Sequence, residues 1–380
     1  MQDRFTKDLK KIVKGNKGLH NPLFHGKEKK YLIDCIESGY VSSVGKYVTK
    51  FEKNISRYVG CKYAVATNSG TSALHLILKY FKINQDHEVL MPSLTYVATA
   101  NAVAYCNATP NFIEIDEKTL GVCPIKLEKY LNKICIIKKG FSINKNTGKK
   151  IKALIVVHLY GFPCKIIEIK RICKKFKIIL IEDAAEAVGS FFKKKHLGTF
   201  GDAGVLSFNG NKPITCGSGG MILSNNKGLA EKTFHLSVHA KKKDSLDHVH
   251  DEVGFNYRMN NLSAAVGCAQ LEKINSIMKL KRNNFIKYRN IFRKKDYLEI
   301  IKEPENSKSN YWLILGKVKN SRVKKSLLKK MRGSGLIGRA IWRPLHSLKI
   351  FKKSPKDNLK ISEQIFLNYI SFPSSPSISL

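Results

Sequence analysis

Three short segments carry residue types that could do chemistry together. The first is Asn68-Ser69-Gly70-Thr71-Ser72, small residues between an apolar run and a helical pattern. Backbone N–H groups are free at a helix N-terminus and small side chains let an anion approach them, so this segment suits a phosphate. The second is Ile181-Glu182-Asp183-Ala184-Ala185-Glu186, where two carboxylates follow an apolar strand pattern. A carboxylate held at a strand end is rigid and partly desolvated, and can keep a cationic ring nitrogen protonated. Read alone, Asp183 is better explained as a helix N-cap. The third is Leu206-Ser207-Phe208-Asn209-Gly210-Asn211-Lys212, followed by Gly217-Ser218-Gly219-Gly220. A lysine buried after a strand loses part of its basicity and becomes a nucleophile toward aldehydes. An ordinary exposed lysine is the competing reading, because the chain has 57 of them.

These groups need elements to hold them. Apolar blocks alternate with helical patterns between about residues 60 and 225, the signature of an α/β protein. The patterns predict strands over 63–67, 88–91, 111–116, 153–159, 178–182, 204–208 and 220–223, the last two as antiparallel neighbours. Residues 153–159 are nearly all apolar, as a strand buried on both faces should be. Helices are predicted over 71–81, 95–105 and 166–176. Residues 138–150 are polar and turn-rich and read as a hairpin or loop. A long helical pattern over 262–278 and weaker strands over 311–315 and 337–341 follow. The expected organisation is a large α/β domain over residues 1–249 and a smaller α+β domain over residues 250–380, with a loosely held Pro/Ser-rich end from Pro373 to Leu380.

Composition narrows the function classes. The 380 residues carry 68 Lys+Arg against 29 Asp+Glu, a formal net charge of +39. A nucleic-acid surface clusters Arg with aromatic residues, whereas here Arg numbers only 11 and the lysines are spread along the chain, with short runs at 193–195 and 241–243. A compositional bias explains the charge better than a dedicated polyanion site. Hydrophobic residues at 43% are enough to fill a core. No apolar run is long enough to cross a bilayer, and the N-terminus lacks a signal-peptide core. Nine cysteines at irregular spacing, without a CxxC pair, argue against a disulfide framework or a thiolate metal site and suit a cytoplasmic location.

A phosphate anchor, a carboxylate for a pyridinium and an amine for an aldehyde are together what a pyridoxal 5'-phosphate enzyme needs. On these motifs the sequence resembles the DegT/DnrJ/StrS family of pyridoxal-phosphate-dependent sugar aminotransferases, from about residue 20 to nearly the C-terminus. The block Ser207-Phe208-Asn209-Gly210-Asn211-Lys212 is similar to a family motif that often carries His in place of Asn209. Two further blocks, 41–48 and 250–259, resemble the branch that aminates UDP-linked 4-keto-6-deoxy-N-acetylhexosamines. The resemblance implies an aspartate-aminotransferase-like (fold type I) α/β architecture, a mixed, mostly parallel sheet flanked by helices.

It also implies roles, residue by residue. Lys212 would bond to the cofactor aldehyde and shuttle a proton, and Asp183 would pair with the pyridine nitrogen. Gly70, Thr71 and Ser72 would hold the phosphate with Ser207, and Tyr96 would stack on the ring. Asn256 would reach the phosphate from a partner subunit, which implies a homodimer with shared active sites. Arg258, His158 and His346 are candidates for substrate contacts. The partners implied are a nucleotide sugar and an amino donor, glutamate by resemblance, with no specific nucleic acid, no membrane and no metal.

Three departures stand out. Glu186 replaces a Gln facing the ring oxygen, and a carboxylate against a phenolate is repulsive unless one is protonated. Pro213 follows Lys212 and removes an N–H beside it. Cys216 and Ser218 stand in the glycine-rich return. The alternatives are a regulatory member of the same fold, a dehydratase-like one, in which His usually replaces the lysine so that Lys212 speaks for transamination, and a basic nucleic-acid-binding protein. Two other signals are set aside. Residues 39–46 have the wrong glycine spacing for a phosphate-binding loop, and the histidines at 235, 239, 248 and 250 lack an HExxH pattern.

Overall fold

Strand patterns fill the middle of the chain, and there a nine-stranded sheet forms. The computed structural model describes residues 2–242 and 247–378, so Lys243 of the second lysine run, Ser379 and Leu380 lie outside the described residues. The helices are α1 (Gln2–Ile12), α2 (Glu28–Glu37), α3 (Lys46–Val59), α4 (Gly70–Tyr80), α5 (Ala98–Tyr105), α6 (Pro124–Ile134), α7 (Ile166–Lys175), α8 (Lys227–Ser237), α9 (Asn261–Glu272), α10 (Ile274–Phe292), α11 (Ser321–Gly333) and α12 (Lys360–Asn368). The first strands are β1 (Tyr63–Thr67), β2 (His87–Pro92), β3 (Thr109–Ile113), β4 (Cys135–Lys138), β5 (Phe141–Asn144), β6 (Lys150–Val157) and β7 (Ile179–Asp183). After them come β8 (Phe191–Phe192), β9 (Lys195–His196), β10 (Ala203–Ser207), β11 (Gly220–Ser224), β12 (Leu298–Ile300), β13 (Ser307–Lys308), β14 (Ile314–Val318), β15 (Arg339–Ala340) and β16 (Tyr369–Phe372).

The large sheet has the order β1-β11-β10-β7-β6-β2-β3, with β5 paired to β6 and β4 to β5. Strands β10, β7, β6, β2 and β3 run parallel, and β11 is antiparallel to both β1 and β10. The C-terminal ends of β1, β2, β6, β7 and β10 therefore meet at one edge, together with the start of β11. Ligands of open α/β sheets bind at that edge. Helices cover the sheet, and its central strands are buried over most of their length, which accounts for the continuous apolar runs. A second sheet of order β12-β14-β16-β15 lies toward the C-terminus, and a three-stranded ribbon, β13-β8-β9, joins distant segments.

Some expected elements differ. The helix expected from residue 95 starts at Ala98, which leaves Thr95 and Tyr96 in the turn after β2. The long pattern over 262–278 breaks at Lys273 into α9 and α10. The polar stretch 138–150 is a hairpin, β4–β5, leading into β6.

The C-terminal end is not loose through residue 378. Ile378 is fully buried in the core with Phe5 and Leu9. Its carbonyl accepts from the N–H groups of Lys14 and Gly15, while Tyr288 and Lys281 of α10 donate to the carbonyls of Pro373 and Ser374. The Pro/Ser composition supplies turns and hydrogen bonds here, not freedom. The large sheet lies within residues 1–249 and the four-stranded sheet within 250–380, but α1 and α9 each pack across that division.

Candidate active site

The strand ends surround a cavity of about 600 Å3, a size suited to a small-molecule site. Lys212 sits in its wall and is buried, with Nζ 3.9 Å from the centre of the Trp312 ring. Burial lowers its pKa from that of an ordinary lysine, and the carboxylates of Glu186 and Asp183 pull the other way. A larger share of free amine at neutral pH is what a nucleophile needs. Pro213 beside it is buried as well.

Alternation along β7 separates the two adjacent carboxylates. Asp183 faces the cavity. Its Oδ2 accepts from Thr99 Oγ1 at 2.8 Å and its Oδ1 from the Ala185 N–H at 3.1 Å. Turns rather than a helix follow it, so the N-cap reading is set aside. Burial pushes its carboxyl up despite these bonds. Glu182 points away from the cavity and ties down residues 198–201. It accepts from the N–H groups of Gly198, Phe200 and Gly201 and pairs with His158 Nε2 at 2.9 Å. Burial would raise Glu182, but His158 and those N–H groups outweigh it and hold its pKa low.

Glu186 lines the cavity and accepts the Tyr160 N–H at 2.7 Å. Burial pushes its carboxyl up to about 7 against the attraction of Lys212. The repulsion expected of a carboxylate at this position is thus eased, because a protonated acid is within reach at neutral pH. The turn that aims the Tyr160 N–H is strained, with Tyr160 at φ 56 and Gly161 at φ 85. A Cβ at Gly161 would fall 2.1 Å from Asn310 Oδ1, so only glycine fits there.

The anion cup forms at the start of α4. Ser69 caps the helix by accepting the Ser72 N–H at 3.1 Å. Gly70, Thr71 and Ser207 line the cavity beside it, and a Cβ at Gly220 would strike the Ser69 carbonyl at 2.3 Å, so the loop packs directly on β11. Ser72 differs from expectation. Its hydroxyl donates to Asn68 Oδ1 at 2.6 Å and contacts Ser69, and it does not line the cavity. A buried carboxylate with only neutral donors, a buried lysine beside it and a helix N-terminus across the same cavity fit pyridoxal phosphate in its ring nitrogen, aldehyde and phosphate.

Tyr96 reaches the cavity with half its surface exposed. The three expected substrate contacts do not reach it. Arg258 is held by the Glu52 carboxylate and the Ala66 carbonyl and packs on Phe234. His158 is fully buried between Glu182 and the Cys164 N–H. His346 bonds Ser93 Oγ at 2.7 Å and Glu363 at 3.1 Å. Each is occupied by neighbours of its own chain. Asn256 is exposed outside the cavity. His235 sits on the surface against Asp251 and Glu252, and Lys232 also takes Glu252.

Sequence reasoning missed an aromatic wall. Tyr160 and Trp342 stack at 4.9 Å and 6°, and Trp312 lies 5.9 Å and 6.1 Å from them. Both tryptophans of the chain line this cavity, and that scarcity was the one available signal. Thr99 and His20 were missed as well, and nothing in their local sequence marks them.

Comparison with known proteins agrees with the geometry. The sequence signature described as the DegT/DnrJ/EryC1/StrS aminotransferase family matches residues 23–380. The chain is 35% identical to a GDP-perosamine synthase of Vibrio cholerae, over 95% of this chain and 94% of that protein. It is 33% identical to a putative pyridoxal phosphate-dependent aminotransferase, EpsN, of Bacillus subtilis, over 95% of this chain and 91% of that one. Among solved structures, Helicobacter pylori PseC, an aminotransferase involved in the biosynthesis of pseudoaminic acid, superposes with a TM-score of 0.85 at 25% identity, covering 96% of this chain and 95% of PseC. The chain belongs to the DegT/DnrJ/EryC1/StrS aminotransferase family, whose members are pyridoxal-phosphate-dependent sugar aminotransferases.

Proposed function

We propose that this enzyme converts a nucleotide-linked 4-keto-6-deoxy sugar, UDP-2-acetamido-2,6-dideoxyhexos-4-ulose, to the 4-amino sugar with glutamate as donor. The observation that carries the reading is the convergence of Lys212, Asp183 and the α4 N-terminus on one cavity. When bound, pyridoxal phosphate supplies an aldehyde and an electron-withdrawing ring. The chain does the rest. Lys212 would hold the cofactor through its amine and, when free, would serve at Nζ as the base and then the acid that moves the proton. Asp183, fixed by Thr99 and Ala185, keeps the ring nitrogen protonated. Thr71, Gly70 and Ser207 hold the phosphate.

Asn256 completes the phosphate site of a partner subunit, so the working unit is a homodimer. The exposed apolar side chains of Val44, Tyr40 and Val253 support such a face. A cytoplasmic location is supported by nine free thiols, eight of them buried. Among the described residues no helix is long and apolar enough to cross a membrane.

The second reading is a GDP-linked sugar, favoured by the relatives named GDP-perosamine synthase. The test is a glutamate-dependent assay with UDP- and GDP-linked 4-keto-6-deoxyhexoses, read by mass spectrometry of the amino sugar. Conversion of the UDP sugar is expected. Turnover of the GDP sugar alone selects the second reading, and turnover of neither overturns both.

A further inference from the structure

One cavity residue has no role in the chemistry above and, among the described residues, no partner at good hydrogen-bond geometry on either ring nitrogen, although the Asn211 backbone lies close by. His20 is buried, lines the cavity, and both its ring nitrogens are unsatisfied. Buried polar groups are nearly always paired, so two unmet ring nitrogens on a residue that lines a cavity point to a ligand there as their partner. The segment that presents the ring is pinned. The Leu19 carbonyl accepts from the Ser374 N–H at 2.7 Å, the Asn21 N–H donates to Ser375 Oγ at 2.8 Å, and the Ile337 N–H donates to the Lys17 carbonyl at 3.0 Å. The ring is therefore aimed, not floating.

Its charge state is set by its surroundings. Burial lowers its pKa well below the usual value, positive charge at Lys281 or Lys212 acts in the same direction, and contact with the Asn211 backbone acts against them. Lys281 is itself fixed by the carbonyls of Trp312 and Ser374. A neutral imidazole offers one N–H and one lone pair. A carboxylate can take the N–H but has no hydrogen to give, so it leaves the lone pair unmet. A hydroxyl does both and matches.

We propose that His20 is a specificity-determining residue that hydrogen-bonds a ring hydroxyl of the hexose, and does not read the carboxylates of the amino donor. The inference rests on the nucleotide-sugar reading above.

The test uses the holoenzyme and the variants His20→Phe, which removes both hydrogen-bonding atoms, and His20→Gln, which keeps a donor and an acceptor. Binding of a UDP- or GDP-linked 4-amino-4,6-dideoxyhexose is followed by quenching of tryptophan fluorescence, since both tryptophans line the cavity. The Phe variant should bind the sugar nucleotide about 10- to 100-fold more weakly. Its kcat/KM should fall by a similar factor in the sugar half-reaction and at least about tenfold less in the glutamate half-reaction. The Gln variant should recover most of the loss. Thermal melting checks folding, and His20→Leu replaces the Phe variant if that does not fold.

Equal losses in both half-reactions overturn the proposal, as does unchanged sugar binding in a folded Phe variant. An equal loss in binding of UDP or GDP alone also overturns it, because the contact would then be to the nucleotide. If the wild type converts no nucleotide sugar, the functional reading falls and this assignment falls with it. If the wild type converts one and the Phe variant matches it, only the assignment falls.

Discussion

The two walls of the cavity are built on different logic. One is the edge of the parallel sheet, where Asp183, Glu186 and Lys212 stand within one run of about 30 residues, all buried and all pulled from their ordinary pKa values. The other is assembled from His20, Tyr160, Trp312 and Trp342, from three distant parts of the chain, and is aromatic. Desolvation links them. The aromatic wall excludes water, and that exclusion shifts the titratable groups opposite it. The first wall carries chemistry that any such enzyme needs, and the second holds the residue proposed to read the sugar.

The largest effect should come from removing the amine at the sheet edge. Lys212→Ala should lower kcat by about 10^3-fold or more. The long-wavelength absorbance of the bound cofactor should be lost as well. The spectrum and a single-turnover assay check both. A variant that turned over normally would move the chemistry away from this wall.

A sharper test compares the adjacent carboxylates of β7. Asp183→Asn should cost about 10- to 100-fold in kcat, the worth of a charge-assisted hydrogen bond, with little change in melting temperature. Glu182→Gln should do the reverse. It breaks a buried pair with His158 and faces three N–H groups with an amide, so it should destabilise the fold by about 3–5 kcal/mol while the kcat of the folded fraction is kept. Denaturant titration and steady-state kinetics separate the two. Similar behaviour of both variants would mean that strand alternation does not divide their roles.

That pair also shows what the sequence could and could not convey. Alternation and apolar runs made the sheet legible, because a strand buried on both faces leaves a continuous signal. The strand-end residues were legible because polar groups after such runs are conspicuous. Direction was not: Glu182 and Asp183 look alike until the register is known. His158, Arg258 and His346 lie away from the cavity for a related reason. Polar residues in suggestive places are more often satisfied by neighbours, here Glu182, Glu52 and Ser93, and those partners are distant in sequence. The aromatic wall was invisible because its members meet only when the turn after β6, the turn before β14 and the turn after β15 come together. The packed end at Ile378 was misread because Pro and Ser signal turns without saying what the turns bury.

The finest distinction lies within the sheet-edge wall, at Glu186. Its carboxyl is raised from 4.5 to about 7, so the folded state holds this proton more tightly than the unfolded chain does. The stability tied to that proton is fully present below about pH 4.5 and is lost as pH rises through about 7. Glu186→Gln cannot ionise and has no such loss. Its stability relative to wild type should therefore rise by about 2–3 kcal/mol between pH 5 and 8, less than the full shift because part of the loss has already occurred at pH 5. Urea titrations at several pH values measure the difference. A constant difference across that range would mean that Glu186 is ionised throughout, and that Lys212, not burial, governs this corner of the site.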